Sequence, residues 1–315
     1  MADHHHPALE RLLRDPVVAA SVRLLSDELA GADLTTVLLE VARRRSAGLS
    51  PAQVKAQYRS DRFVQPGSVD IRRLIELELA ALDAVAARFE PVLTSPLAPL
   101  GTHSTIADVH QDRVVTTMRG TEVAADPTNS LALEAACRRQ DLLVQQARSD
   151  VVVSLATVDR VVRAQRFEGT RSFPHFSLLG LVSAGRDRGS DAFELDAMLM
   201  HLRAIVDVLA CIEPTQIIVR VTDFSGRLGH VAEAVVDQLT GVAAEVWPDR
   251  VAGGSYYPSL CCKVAVVVDG EEVEVGDGGV VDWTQKLLGN GKERLMISGV
   301  SLERLAMLTP RQSGS

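Results

Sequence analysis

The stretch "LMISGVSLERLAML", residues 295–308, places a guanidinium, Arg304, in an otherwise apolar helix-like segment that follows a branched strand-like run and Gly299. A buried guanidinium is costly unless a carboxylate or a bound anion compensates it. Arg304 therefore either pairs with an acid or faces a ligand. A second cationic stretch, "VVRAQRFEGTRSFPHFSLLG" (161–180), carries Arg163, Gln165 and Arg166 on one side of a loop and Phe176 on the other. By itself it reads equally well as an exposed hairpin with cationic decoration. The four cysteines (Cys137, Cys211, Cys261, Cys262) show no CxxC spacing, and the adjacent pair Cys261-Cys262 lies in a strand-like run whose side chains alternate, so reduced structural thiols are expected. The tract His4-His5-His6 is terminal and receives no function.

The elements that must position these residues follow from periodicity. Residues 8–89 read as helices, with Ser50 capping a segment that opens at Pro51. "IRRLIELELAALDAVAARF" is amphipathic, with Ile71, Leu74, Leu77, Leu82 and Val85 on one apolar face. Beyond the proline-broken "EPVLTSPLAPLG" the texture turns to strands: "DRVVTTM", "EVAADP", "DVVVSLATVDRVVRA", "HFSLLGLVSA", "QIIVRVTDF", "LCCKVAVVV", "EEVEV" and "RLMISGV", interrupted by helices at 129–148, 190–211 and 228–241. Strands following strands with few crossovers predict an α+β fold, an antiparallel β-sheet flanked by helices. The expected division is an N-terminal helical region, 1–67, and a core, 68–315. In "GSDAFELDAMLMHLRAI", Ser190 is the expected N-cap and Glu194 reads as structural.

Bulk properties narrow the function classes. At 315 residues and 46% hydrophobic the chain can bury one large core or two ordinary ones. A net charge of −8 argues against a general nucleic-acid surface. No apolar run reaches the roughly 18 residues needed to cross a bilayer, and the N-terminus lacks a signal-peptide pattern, so a cytoplasmic location is expected. No GxGxxG or GxxxxGK[ST] loop is present to cradle a phosphate.

Three stretches in order, 70–99, 161–180 and 295–308, resemble the three signature motifs of class II aminoacyl-tRNA synthetases, and within that class the histidyl-tRNA synthetase branch. Arg163-Ala164-Gln165-Arg166 stands where the branch has Arg-x-Glu-Arg, and Phe176 stands where its adenine-covering aromatic lies. "AGGSYYPSLCCKVAV" resembles its Arg-Gly-Leu-Asp-Tyr-Tyr segment, and "GDGGVVDW" its Gly-Gly-Arg-Tyr-Asp turn. The resemblance implies that Arg163, Gln165, Arg166, Phe176 and Arg304 bind ATP with Mg2+, Arg163 and Arg304 acting on its phosphates. It implies a substrate site at Asp126, Thr128, Leu178, Tyr256, Tyr257 and Gly279, and a homodimer built on the helix at 71–89. The chain also departs from the pattern. Thr128 stands where the branch supplies a glutamate to the substrate ammonium, Leu178 where it has a glutamine, and Ala252 where it has an arginine. Only "TPRQSGS" follows the third motif, where the synthetases continue into an anticodon-binding domain. The expected function is thus a stand-alone paralogue that adenylates a carboxylate other than histidine and passes it to an amine or carrier. The alternative is a catalytically silent paralogue resembling the regulatory subunit of ATP phosphoribosyltransferase.

Overall fold

The computed structural model describes residues 7–165 and 173–309. Contacts divide them into two units, residues 7–61 with 116–121, and residues 62–115 with 122–309. The first unit carries α1 (Pro7–Leu12), α2 (Pro16–Arg23), α3 (Gly31–Ala47) and α4 (Pro51–Ser60), none of which has a buried residue. Its local sequence is well matched to helix: Asp15 caps α2, and Ser50 with Gln53 closes a reciprocal capping box at α4.

The second unit begins its regular structure with α5 (Ile71–Val85), capped by Asp70. It continues through β1 (Glu90–Pro91), β2 (Leu97–Pro99), β3 (Thr121–Val123), α6 (Pro127–Gln145), β4 (Val153–Val162), β5 (His175–Arg186) and α7 (Ala192–Ala210). Then come β6 (Gln216–Asp223), α8 (Gly229–Gln238), β7 (Ala243–Val246), β8 (Leu260–Val268), β9 (Glu271–Val281), α9 (Trp283–Leu288), β10 (Glu293–Ser301) and α10 (Leu302–Leu308). Eight strands form one sheet in the order β1-β4-β5-β10-β9-β8-β6-β7. The six central strands pair antiparallel, and only the edge pairs β1–β4 and β6–β7 are parallel. This is the expected α+β architecture.

Alternation along the strands supplies two cores. Leu179 and Leu181 of β5, Met296 and Val300 of β10, and Cys262 and Val264 of β8 pack with α5, α7, α8 and α10. Val182 and Ala184, Leu295 and Ile297, and Cys261 face α6 and Trp283 of α9 instead. The adjacent cysteines therefore lie in opposite cores, as the period of two requires.

Three expectations change. The segment "DRVVTTM" is not a strand: a short turn at Gln111–Arg113 is followed by a tight loop, with Thr117 N donating to Thr121 O at 2.9 Å. The cap of α7 is Asp191, not Ser190; both have left-handed backbone. On α5, Leu74, Leu77 and Val85 are buried in the core of their own unit, whereas Ile71 (60% exposed), Ile75 (56%) and Leu79 (61%) line its outer face.

Candidate functional site

A cavity of about 850 Å³ opens beside β5, β9 and β10, and most of the sequence-predicted site residues meet there. Its walls include Asp126, Thr128, Arg163, Phe176, Leu178, Tyr256, Tyr257 and Arg304. The β-sheet register explains the gathering. Val161 of β4 pairs with Phe176 of β5, so Arg163 leaves β4 beside the aromatic ring, with its N–H donating to Pro174 O at 2.7 Å. Leu178 pairs with Ser301 of β10, and Gly299 of β10 pairs with Asp277 of β9.

The Arg163 guanidinium lies 5.0 Å from the centre of the Phe176 ring, within cation–π range. Its Nε donates to Ala125 O at 3.0 Å and its Nη2 to Asp126 Oδ2 at 3.3 Å. Asp126 also caps α6: its Oδ1 accepts from Thr128 N (2.9 Å) and Thr128 Oγ1 (2.7 Å). The first turn of α6 can lie against the sheet because β5 has a glycine there. A Cβ on Gly180 would come within 2.8 Å of Pro127 Cγ.

Behind Asp126 is a buried support that the sequence did not announce. Glu122 Oε1 accepts from His103 Nδ1 at 2.6 Å and from the His103 amide at 2.9 Å, and Gln111 donates to Oε2 at 2.8 Å. His103 Nε2 accepts from Ala125 N at 2.9 Å, which fixes the proton on Nδ1. Burial works against ionisation of Glu122, but these hydrogen bonds together hold its carboxyl below the ordinary value. Imidazole and carboxylate thus clamp the backbone that presents Asp126 and receives Arg163.

Arg304 is exposed, so the cost that made it conspicuous in sequence does not arise. It lies in the first turn of α10, where Ser301 Oγ accepts from its backbone N–H as the helix cap, and its Nη1 donates to Glu274 O across the cavity wall. Glu303, its neighbour, is the buried one, only 2% exposed. Its Oε2 accepts from Ser177 N and Arg160 Nη1, each at 3.1 Å, while its Oε1 has no partner among the described residues.

Tyr256 and Tyr257 stand edge to face, centroids 4.9 Å apart, and Tyr256 is likewise edge-on to Trp283 at 5.7 Å. Burial pushes both phenols well above their ordinary values, with the Thr128 side chain opposing it slightly at Tyr256. Gly279 lies behind this wall: a Cβ there would meet Tyr257 Cδ1 at 2.5 Å, so it makes room for the ring and does not itself line the cavity. Gln165 is likewise not among the lining residues, and Arg166 falls outside the described residues. Glu194 is structural as expected, accepting from Arg294 Nε at 2.9 Å.

The main residue that sequence reasoning missed is Asp277. It projects from β9 into the cavity beside Asp126 and the two tyrosines, and burial, followed by the Asp126 charge, pushes its carboxyl up to about 6. In sequence, the "GDGG" run stands out only through its likeness to a glycine turn, which points to Gly279 and not to Asp277. The arginine absent at Ala252 has a near counterpart in Arg250, whose buried guanidinium turns to Ala252 O (2.8 Å) and Cys261 Sγ (3.4 Å) instead of lining the cavity.

Comparison with known proteins finds no matching protein-family model and no matching curated protein. Solved structures do match. Histidyl-tRNA synthetase from S. aureus aligns with a TM-score of 0.55 at 12% identity, over 75% of this chain and 64% of that one. An ATP phosphoribosyltransferase regulatory subunit/histidyl-tRNA synthetase from Bacillus halodurans aligns with a TM-score of 0.57 at 12% identity, over 79% and 83%. A histidine-tRNA ligase subunit from Alicyclobacillus acidocaldarius aligns with a TM-score of 0.55 at 13% identity, over 78% and 95%. The chain thus spans less than two thirds of the S. aureus enzyme. At these identities the likeness is one of fold: the chain has the class II synthetase-like core. Among the described residues, no helix is long and apolar enough to cross a membrane.

Proposed function

We propose that the protein binds ATP in this cavity and uses it to activate a carboxylic acid other than histidine, forming an acyl adenylate and pyrophosphate, then passing the acyl group to an amine or carrier. The observation that carries this reading is the convergence of Arg163, stacked on Phe176, with Arg304 in one cavity of about 850 Å³. That volume lies in the usual range of roughly 300–1,000 Å³ for small-molecule sites. An aromatic face suits adenine, and two guanidiniums suit phosphates. Positioning and charge neutralisation suffice for such a step, with no protein nucleophile required.

The lining also sets a condition. Asp70, Asp126, Glu271, Glu274, Asp277 and Glu303 outnumber the two arginines, so a bare nucleotide polyanion would be repelled. Magnesium supplies the missing positive charge when it accompanies the nucleotide. No group of three ligating side chains among the described residues would hold the ion by itself, so it would arrive with the phosphates.

Calorimetry with ATP and Mg2+ tests the first half of the proposal: Arg163→Ala should weaken binding by about 1.5–3 kcal/mol, the range for a charged hydrogen bond. A screen of carboxylic acids by pyrophosphate release tests the second, and histidine as the best substrate would contradict it. One observation favours a sensing role instead. Arg163 is already engaged by Asp126 and Ala125 O, and Arg304 by Glu274 O. ATP binding without pyrophosphate release from any acid would select that regulatory reading.

We also propose a homodimer, on the exposed ridge Ile71, Ile75 and Leu79, spaced four residues apart along α5. Sedimentation should give a dimer at micromolar concentration and a monomer for Ile75→Glu.

A further inference from the structure

The wall of the cavity formed by Asp277, Asp126, Tyr256 and Tyr257 has a chemistry of its own. Among the described residues, no donor hydrogen-bonds the Asp277 carboxylate, although the buried Arg250 guanidinium is near enough to act on it electrostatically. That guanidinium spends its hydrogen bonds on Ala252 O and Cys261 Sγ. The two oxygens of Asp126 are occupied, Oδ1 by Thr128 and Oδ2 by Arg163. Asp277 is therefore the open anionic contact of this wall, with the Asp126–Arg163 ion pair and the aromatic rings beside it.

A carboxylate kept in a cavity without a donor costs stability unless something else completes it. The lining argues against a polar anion at this wall, and the absence of a ligating trio among the described residues argues against a metal ion. The combination of carboxylate, aromatic rings and apolar neighbours such as Leu178 and Ile297 matches an organic cation.

We infer that this wall holds the cationic nitrogen of an amine-bearing organic ligand, seated on Asp277 with the Arg163-paired Asp126 and the Tyr256 ring alongside. The carboxylate missing at Thr128, in the first turn of α6, is thereby supplied from β9. The inference rests on the cavity being the ligand site, not on its carrying out adenylation.

Benzylammonium and its neutral isostere benzyl alcohol are suitable probes, with binding to the full chain measured by saturation-transfer NMR and calorimetry at pH 7.5. Wild type should bind benzylammonium at least about ten-fold more tightly than the alcohol, the ratio expected of one charged hydrogen bond. Asp277→Asn should abolish that preference. Equal affinity for the two probes in wild type, or a preference that survives in Asp277→Asn, overturns the inference. If the Asn variant does not fold, the wild-type comparison alone decides. ATP binding is measured alongside. Bound ATP with no ammonium preference sinks this inference and leaves the proposed function standing, whereas an ammonium preference without ATP binding does the reverse.

Discussion

Glu293 and Asp277 are carboxylates on neighbouring strands of one sheet, and they are treated in opposite ways. At the start of β10, Glu293 is fully buried against Arg139 of α6: Arg139 Nε donates to Oε2 at 2.8 Å and Nη2 to Oε1 at 3.0 Å. The same guanidinium also donates to Val151 O (2.6 Å) and Ser149 O (3.0 Å), tying the loop before β4 to the helix. Asp277, midway along β9, receives no hydrogen bond from any described residue. The fold can satisfy a buried charge where one is structural, so a charge left open in a cavity wall points to something outside the chain. His201 is satisfied too, but as a neutral ring: fully buried, it lies between Ser298 Oγ (2.7 Å) and Ser183 Oγ (2.9 Å), and burial lowers its value to about 3.

The largest effect is expected where the comparison is most lopsided. Arg139→Ala leaves Glu293 buried without its partner and frees two carbonyls, which should cost about 3–5 kcal/mol in a urea titration at pH 7.5. A loss below 1 kcal/mol would mean that the pair is not structural.

Asp277→Asn should act in the other direction. The folded carboxyl titrates at about 6 against 3.8 for an unperturbed aspartate. Between those values the folded chain keeps a proton that the unfolded chain has released. Stability therefore falls as pH rises through that window and levels off above it. The contributing charges are Asp126 and Glu274, which raise the value, and Arg250 and Arg163, which lower it. The Asn variant should thus be more stable than wild type by about 2–3 kcal/mol at pH 7.5 and equal to it near pH 4. Equal stability at both values would place Asp277 with the satisfied groups.

Gly180→Ala sharpens the comparison at the cavity rim. The added methyl would press on Pro127 and on the amide of Thr128, so overpacking should cost about 1–3 kcal/mol. Because the shift falls on the turn that holds Asp126, ATP affinity should drop in the same variant. Unchanged affinity would show that α6 absorbs the methyl without moving its cap.

Much of this was legible in the residues themselves. The order of strands and helices, the amphipathic α5 and the opposite faces of Cys261 and Cys262 all follow from periods of two and 3.6. The gathering of Arg163 with Phe176 was visible because both flank one hairpin. What was not legible was which face of α5 its own core would take. Ile71, Leu74 and Leu77 look alike as an apolar stripe, and only packing against α7 and α10 separates them.

The same boundary holds at the cavity. Local dihedral preferences and side-chain spacing determined the elements and their caps, since Ser50, Asp70 and Ser301 act within a few residues of themselves. The tertiary structure alone decided that Arg304 is exposed while Glu303 is buried, because α10 packs the face carrying Leu302, Leu305 and Ala306 into the core, which takes Glu303 inward and leaves Arg304 outside. It also decided that Asp277 joins Asp126 and Arg163. That meeting depends on β10 lying between β5 and β9, a pairing made across more than a hundred residues, and such long-range register leaves no mark in the sequence around any one of the three.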